Sequence, residues 1–206
     1  MSAQPRVQAL LFDLGGVVVD IDFGRVLDAW QPHSALPRAQ LRQRFSFDPP
    51  YQRHETGALE AAGYFDHLRQ QLALSCDDAT MAAGWNAVFT GAIDETLALI
   101  DGVRERVPCY AISNTNAVHL AELERAFPAV LARFRQVFVS HAIGHRKPQP
   151  EAFAHVLRAI GVPAAGVMFF DDLADNVDGA RACGMQGVVV TGPADVRRAL
   201  QAAGLV

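Results

Sequence analysis

Two adjacent carboxylates, Asp171 and Asp172, follow the apolar run Val167 to Phe170, and a third, Asp13, ends the run Leu10-Leu11-Phe12 ahead of Gly15 and Gly16. An acid just past a short apolar run is an acid delivered by the end of a buried strand. In open α/β sheets, ligands bind beyond the carboxyl ends of the strands, and paired glycines let the backbone turn there and let a ligand approach it closely. Carboxylates brought together repel and shift one another's pKa unless a cation sits among them; hard oxygen ligands with room for water suit Mg²⁺. Asn176, four residues after Asp172 and one turn into a helix, can orient a metal-bound water or a neighbouring carboxylate.

Two further segments carry groups suited to an anion. Ser113-Asn114-Thr115-Asn116 follows the run Cys109 to Ile112 and opens a helix, and hydroxyl, amide and free N–H groups at a helix N-terminus bind anions. Arg146-Lys147-Pro148-Gln149-Pro150 sets a lysine ahead of a helix whose first turn is fixed by proline. An ammonium pinned there acts on an anion as a point charge.

The elements that must position these groups follow from the apolar pattern. Short runs at Cys109 to Ile112, Val137 to Val139, Val167 to Phe170 and Gly187 to Val190 alternate with helices that begin near Ala117, Pro150, Asp175 and Ala194. Such alternation means a parallel sheet with helices on both faces, and right-handed crossovers bring every strand's C-terminal end to one edge. Asp13, Ser113 with Asn114, Ser140, and Asp171 with Asp172 should therefore converge. From Val19 to about residue 100 the pattern is instead that of amphipathic helices: Phe23, Val26, Leu27 and Trp30; Ala61, Phe65, Leu68 and Leu72; and Met81, Trp85, Val88 and Phe89. Breaks at Pro32, Pro49-Pro50 and Gly57 cut this block into about four helices, with no strand. The expected architecture is α/β: a Rossmann-like three-layer core with a parallel sheet, from residues 1–19 and 100–206, carrying an inserted all-helical cap from 20–99.

Composition narrows the function classes. Half of the 206 residues are hydrophobic, so the chain can bury a substantial core. A net charge of −4 without a basic run argues against nucleic acid or an anionic membrane surface as partner. The residues ahead of the first strand carry no signal-peptide pattern, which points to the cytoplasm. Cys76, Cys109 and Cys183 read as free thiols.

Acid, anion cradle, lysine and acidic pair in this chain order resemble the four motifs of the haloacid dehalogenase superfamily of aspartate-nucleophile hydrolases. Phe12 to Asp20 is similar to its first motif, Ser113-Asn114 to its second, Lys147-Pro148 to its third and Asp171-Asp172 with Asn176 to its fourth. The helical insertion resembles its class I cap, and the Phe-Asp-Leu-Gly start with Asp20-Ile21-Asp22-Phe23 is similar to the bacterial α-D-glucose-1-phosphate phosphatase subgroup. The resemblance implies a phosphatase of a small phosphorylated metabolite, for example a sugar 1-phosphate. Asp13 would be the nucleophile, and Ser113, Asn114 and Lys147 would bind the phosphoryl oxygens. Mg²⁺ would be held by Asp13, Asp172 and the main-chain oxygen of Gly15, with Asp171 assisting. One position departs from the pattern. Family phosphatases usually carry a second aspartate two residues after the nucleophile as general acid and base; here it is Gly15. A substrate with an acidic leaving oxygen needs that group least, and His54, Glu55, Asp20 and Asp22 are the candidates to replace it. The glycine also leaves two other readings: a hydrolytic 2-haloacid dehalogenase, which needs no metal, and a decayed scaffold that only binds.

Overall fold

The computed structural model describes residues 6–206. In chain order its elements are β1 (Ala9–Phe12), β2 (Val19–Ile21), α1 (Phe23–Trp30), α2 (Arg38–Arg44), α3 (Pro49–Glu55), α4 (Ala61–Leu72), α5 (Asp78–Asn86) and β3 (Phe89–Ala92). There follow α6 (Asp94–Val103), β4 (Cys109–Ser113), α7 (Ala117–Ala126), α8 (Pro128–Leu131), β5 (Val137–Val139), α9 (Ser140–Ile143) and α10 (Pro150–Ile160). The chain closes with β6 (Val167–Asp171), α11 (Ala174–Ala182), β7 (Gln186–Val189) and α12 (Pro193–Ala202). Five strands form a parallel sheet in the order β5-β4-β1-β6-β7.

β1 is the central strand and is apolar throughout because both faces of the sheet are covered. Leu10 and Phe12 join a core with Leu97 and Ile100 of α6, Leu123 of α7 and Leu200 of α12. Ala9 and Leu11 point the other way, into a core with Phe153 and Val156 of α10 and Ala180 of α11. This is the expected three-layer α/β arrangement, with β1 at the point where the strand order turns from β4 and β5 to β6 and β7.

The inserted block differs from expectation in two ways. It does contain strand: β2 and β3 pair antiparallel as a two-stranded ribbon at its base. Phe89 therefore lies in a strand and not on the helical face read from Met81 and Trp85. α5 stops at Asn86, and Asp22 N–H bonds to Val88 O at 2.8 Å, drawing the chain into the ribbon. The block also has five α-helices in place of about four. Its own core is aromatic: Trp30 and Trp85 stack with centroids 5.8 Å apart. Gly84 permits that approach, since a Cβ there would lie 2.2 Å from Trp30 Nε1. α6 packs Leu97, Leu99, Ile100 and Val103 into the sheet's core, so a boundary between residues 99 and 100 would cut through a core helix.

Candidate active site

Sheet register sets the acids. Phe12 and Phe170 are ladder partners and their rings stack at 4.7 Å within one core face. The next residues, Asp13 and Asp171, point to the opposite face because strand side chains alternate. Asp13 continues the ladder by one bond, its N–H donating to Phe170 O at 2.8 Å. Asp172 follows on the turn into α11. Carboxylate oxygens of Asp13, Asp171 and Asp172 lie within 4.8 Å of one another.

Between the first two acids lies Lys147, whose side chain is fully buried. Its Nζ is 2.9 Å from Asp13 Oδ2 and 2.6 Å from Asp171 Oδ2, and it donates to Ile112 O at 3.2 Å. An ammonium has three protons, and these partners take all of them. The lysine loop is held from β4. Asn114 Oδ1 accepts from Lys147 N–H at 2.8 Å, and Asn114 Nδ2 donates to Lys147 O at 2.9 Å. The Asn114 side chain thus clamps the Lys147 backbone, which leaves the Asn114 main-chain N–H for an anion. Ser140 ties the neighbouring strand end in, bonding to both N–H and C=O of Thr115.

Asp171 is fully enclosed. Besides Lys147, its Oδ1 accepts from Leu173 N–H and from Asn176 Nδ2, both at 2.9 Å. Asn176 therefore orients a carboxylate, one of the two roles its spacing allowed. Asp172 is half-buried and borders the cavity with Asp13, Gly15, Ser113 and Asn114.

Electrostatics follow from three acids sharing one lysine. Burial, offset by Lys147 and then reinforced by Asp171 and Asp172, pushes the Asp13 carboxyl up to about 8. Burial and then Asp171 also raise Asp172. Burial alone would lower the Lys147 ammonium, but Asp13 and Asp171 more than reverse it. With all three acids ionised, one lysine leaves two negative charges uncompensated. The oxygen-only set at this spacing, two of its three acids buried, fits a hard divalent cation such as Mg²⁺.

Gly16 is required by both its backbone and its neighbour. It has φ +73°, and a Cβ there would lie 2.6 Å from Asp172 Oδ2. Gly16→Ala should displace that carboxylate and weaken Mg²⁺ binding at least about tenfold, measured by calorimetric titration; second-sphere changes around metal ligands cost a comparable 10- to 100-fold. Unchanged affinity would remove Asp172 from the ion's ligands.

The four candidates for the missing acid separate clearly. Asp20 accepts from the Thr90 hydroxyl and Asp22 caps α1 through Gly24 N–H. His54 bonds to Leu59 O and stacks on Tyr64. Glu55, in contrast, lines the cavity of about 270 Å³ that opens from Asp13 toward the helical block. It pairs with Arg146, a residue to which the sequence alone assigns no role although it adjoins Lys147.

The family profile described as haloacid dehalogenase-like hydrolase matches residues 7–184. A D-ribitol-5-phosphate phosphatase from Bacteroides thetaiotaomicron is 26% identical over 203 residues, covering 94% of this chain and 97% of that protein. A phosphatase from Mycobacterium tuberculosis, MT3486, is 26% identical over 193 residues, 89% of this chain and 87% of that one. Among solved structures, a haloacid dehalogenase family enzyme from B. thetaiotaomicron in complex with magnesium and inorganic phosphate superposes with TM-score 0.78. It is 25% identical and covers 90% of this chain and 95% of that chain.

Proposed function

Because the chain belongs to the haloacid dehalogenase-like hydrolase family, we propose that it is a Mg²⁺-dependent phosphatase of a small phosphorylated metabolite, with Asp13 as its nucleophile. One observation carries the reading: three carboxylates within 4.8 Å of one another, the first of them 2.9 Å from a buried lysine. Likeness to phosphatases over nearly the whole chain, and to a structure holding magnesium and phosphate, supports it.

Mg²⁺, held by Asp13, Asp172 and the main-chain oxygen of Gly15, would supply charge neutralisation at the phosphoryl oxygens. Asp13 attacks phosphorus, the bond to the leaving oxygen breaks, and an aspartyl phosphate forms. Water then cleaves it, releasing phosphate and restoring the carboxylate. Ser113 Oγ and the N–H of Asn114 hold the equatorial oxygens, where charge develops in the transition state, and Lys147 exchanges its contact with Asp13 for one of them as Asp13 bonds to phosphorus. Asp171 keeps Lys147 and Asn176 aligned from behind.

Position 15 bears on the substrate. A Cβ on Gly15 would lie 3.0 Å from Ile21 Cδ1, so Ile21 stands beside the space a second aspartate would need. The leaving oxygen then departs without an acid from that position, a loss typically of about 10²- to 10⁴-fold for poor leaving groups. An anomeric oxygen is a better leaving group than an alkoxide, which selects a sugar 1-phosphate, as the glucose-1-phosphate phosphatase resemblance also does.

A panel of sugar 1-phosphates and 6-phosphates, assayed with Mg²⁺ and with EDTA, tests this. Metal-dependent phosphate release favouring the 1-phosphates is expected. Equal rates on glycerol phosphate would remove the leaving-group argument, and chloride release from 2-chloropropionate in EDTA would replace the phosphatase reading by a dehalogenase.

A further inference from the structure

The cavity beyond Asp13 has mostly apolar walls, formed on this side by Ile21, Phe23, Phe47, Val88, Phe89 and Leu123. Its polar groups are largely spent within the protein. The two ring nitrogens of His119 face Asn116 and Trp85 O, and the amides of Asn114 and Asn176 hold Lys147 and Asp171. Apart from the groups assigned to phosphate and metal, the exception is Arg146 with Glu55. Arg146 Nε donates to Glu55 Oε2 at 2.7 Å, and the Tyr51 hydroxyl also bonds to Glu55. Neither terminal nitrogen of Arg146 hydrogen-bonds to the described residues, although the side chain is only 22% exposed. A guanidinium buried to that extent with idle donors is poised for a ligand.

The pair joins two parts of the chain. Glu55 ends α3 in the inserted block, while Arg146 precedes Lys147 in the core. α3 is seated closely there: a Cβ on Gly57 would lie 2.5 Å from His141 O. Glu55 neutralises Arg146, so the pair offers little net attraction for a second anion. It offers donors from Arg146 beside an acceptor on Glu55, which is the complement of hydroxyl groups, each able to accept and donate.

We propose that Glu55 and Arg146 form the specificity site for the body of the substrate: Arg146 donates to hydroxyl oxygens of the leaving group, and Glu55 positions Arg146 and accepts from a hydroxyl. This rests on the phosphatase reading. It goes beyond it by assigning recognition to a pair that joins the helical block to the core.

The test compares kcat/KM for α-D-glucose 1-phosphate and p-nitrophenyl phosphate, the second having no hydroxyl, in the wild type, Glu55→Gln and Arg146→Lys, with melting curves for each. The leaving groups differ in acidity, so the readout is the change in the ratio of the two efficiencies on substitution and not the wild-type ratio itself. Both substitutions should lower the ratio of the two efficiencies by about 10- to 100-fold, in the range of hydrogen bonds to charged groups, mainly through KM. Arg146→Lys is the sharper probe, because lysine keeps an ion pair with Glu55 but loses the terminal guanidinium donors. If it retains the wild-type ratio, the pair is only a structural link and the inference fails. It fails equally if both substitutions reduce the two substrates in parallel. A wild type that hydrolyses neither ester with Mg²⁺ overturns the phosphatase reading itself, a result distinct from these.

Discussion

Lys147→Met should lower the melting temperature by about 10 °C and reduce turnover by about 10³-fold or more. Methionine keeps much of the length and removes the charge. Asp13 and Asp171 would then face each other with no cation between them, and Asp171, fully enclosed, would lose the partner 2.6 Å from its Oδ2. Breaking a buried ion pair from one side costs about 3–5 kcal/mol because the other charge stays behind. At about 2–4 °C per kcal/mol for a domain of this size, that gives the expected shift. Catalysis loses more. Among the described residues the ammonium is the one side-chain cation bonded to the nucleophile, and removing a preorganised donor at a developing charge typically costs about 10²- to 10³-fold; misplacing Asp13 adds to it. Thermal unfolding and steady-state assays in Mg²⁺ check both halves. A variant melting within about 2 °C of the wild type would mean that the pairing carries little of the fold.

Much of this arrangement is legible in the sequence, for a physical reason. A strand buried on both faces must be apolar along its length, so a carboxylate at its end stands out, as Asp13 does after Phe12 and Asp171 after Phe170. Parallel topology then does the gathering without any contact having to be predicted. The helix starts at Ala117 and Pro150 were equally plain, from an asparagine cap at Asn116 and a proline in the first turn.

What was hidden depends on contacts remote in sequence. β3 was masked because Val88 and Phe89 continue the spacing of Met81 and Trp85; only pairing with β2, about 70 residues earlier, makes Phe89 a strand residue. Asn114 carries donors and acceptors suited to phosphate, but its amide is engaged by a backbone 33 residues away. Glu55 and Arg146 are separated by 91 residues. Glu55 stands among the four candidates for the missing acid, but no local pattern marks either residue as lining the cavity, and the adjacency of Arg146 to Lys147 is the one signal for the second.

Asp13→Asn should abolish turnover while stabilising the metal-free protein, and the two effects have one cause. Asparagine has nearly the shape of aspartate but neither the charge nor the nucleophilic oxygen; removing a covalent nucleophile costs on the order of 10⁶-fold. The stability effect follows from the environment. In the metal-free fold the Asp13 carboxyl is held near 8, chiefly by burial, against an ordinary value of 3.8. The folded state therefore binds a proton that the unfolded chain releases, and stability falls as pH rises from about 4 through about 8. In EDTA the wild type should lose melting temperature across that window, and the Asn variant should lose much less, being the more stable of the two at pH 8. Adding Mg²⁺ reverses the order. The ion requires the ionised carboxylate, so it should raise the wild-type melting temperature more at pH 8 than at pH 6 and act weakly on the variant. Melting curves for both proteins at several pH values, with EDTA and with Mg²⁺, decide the matter. Equal Mg²⁺-induced shifts in the two proteins would take Asp13 out of the metal site, even if the variant were inactive.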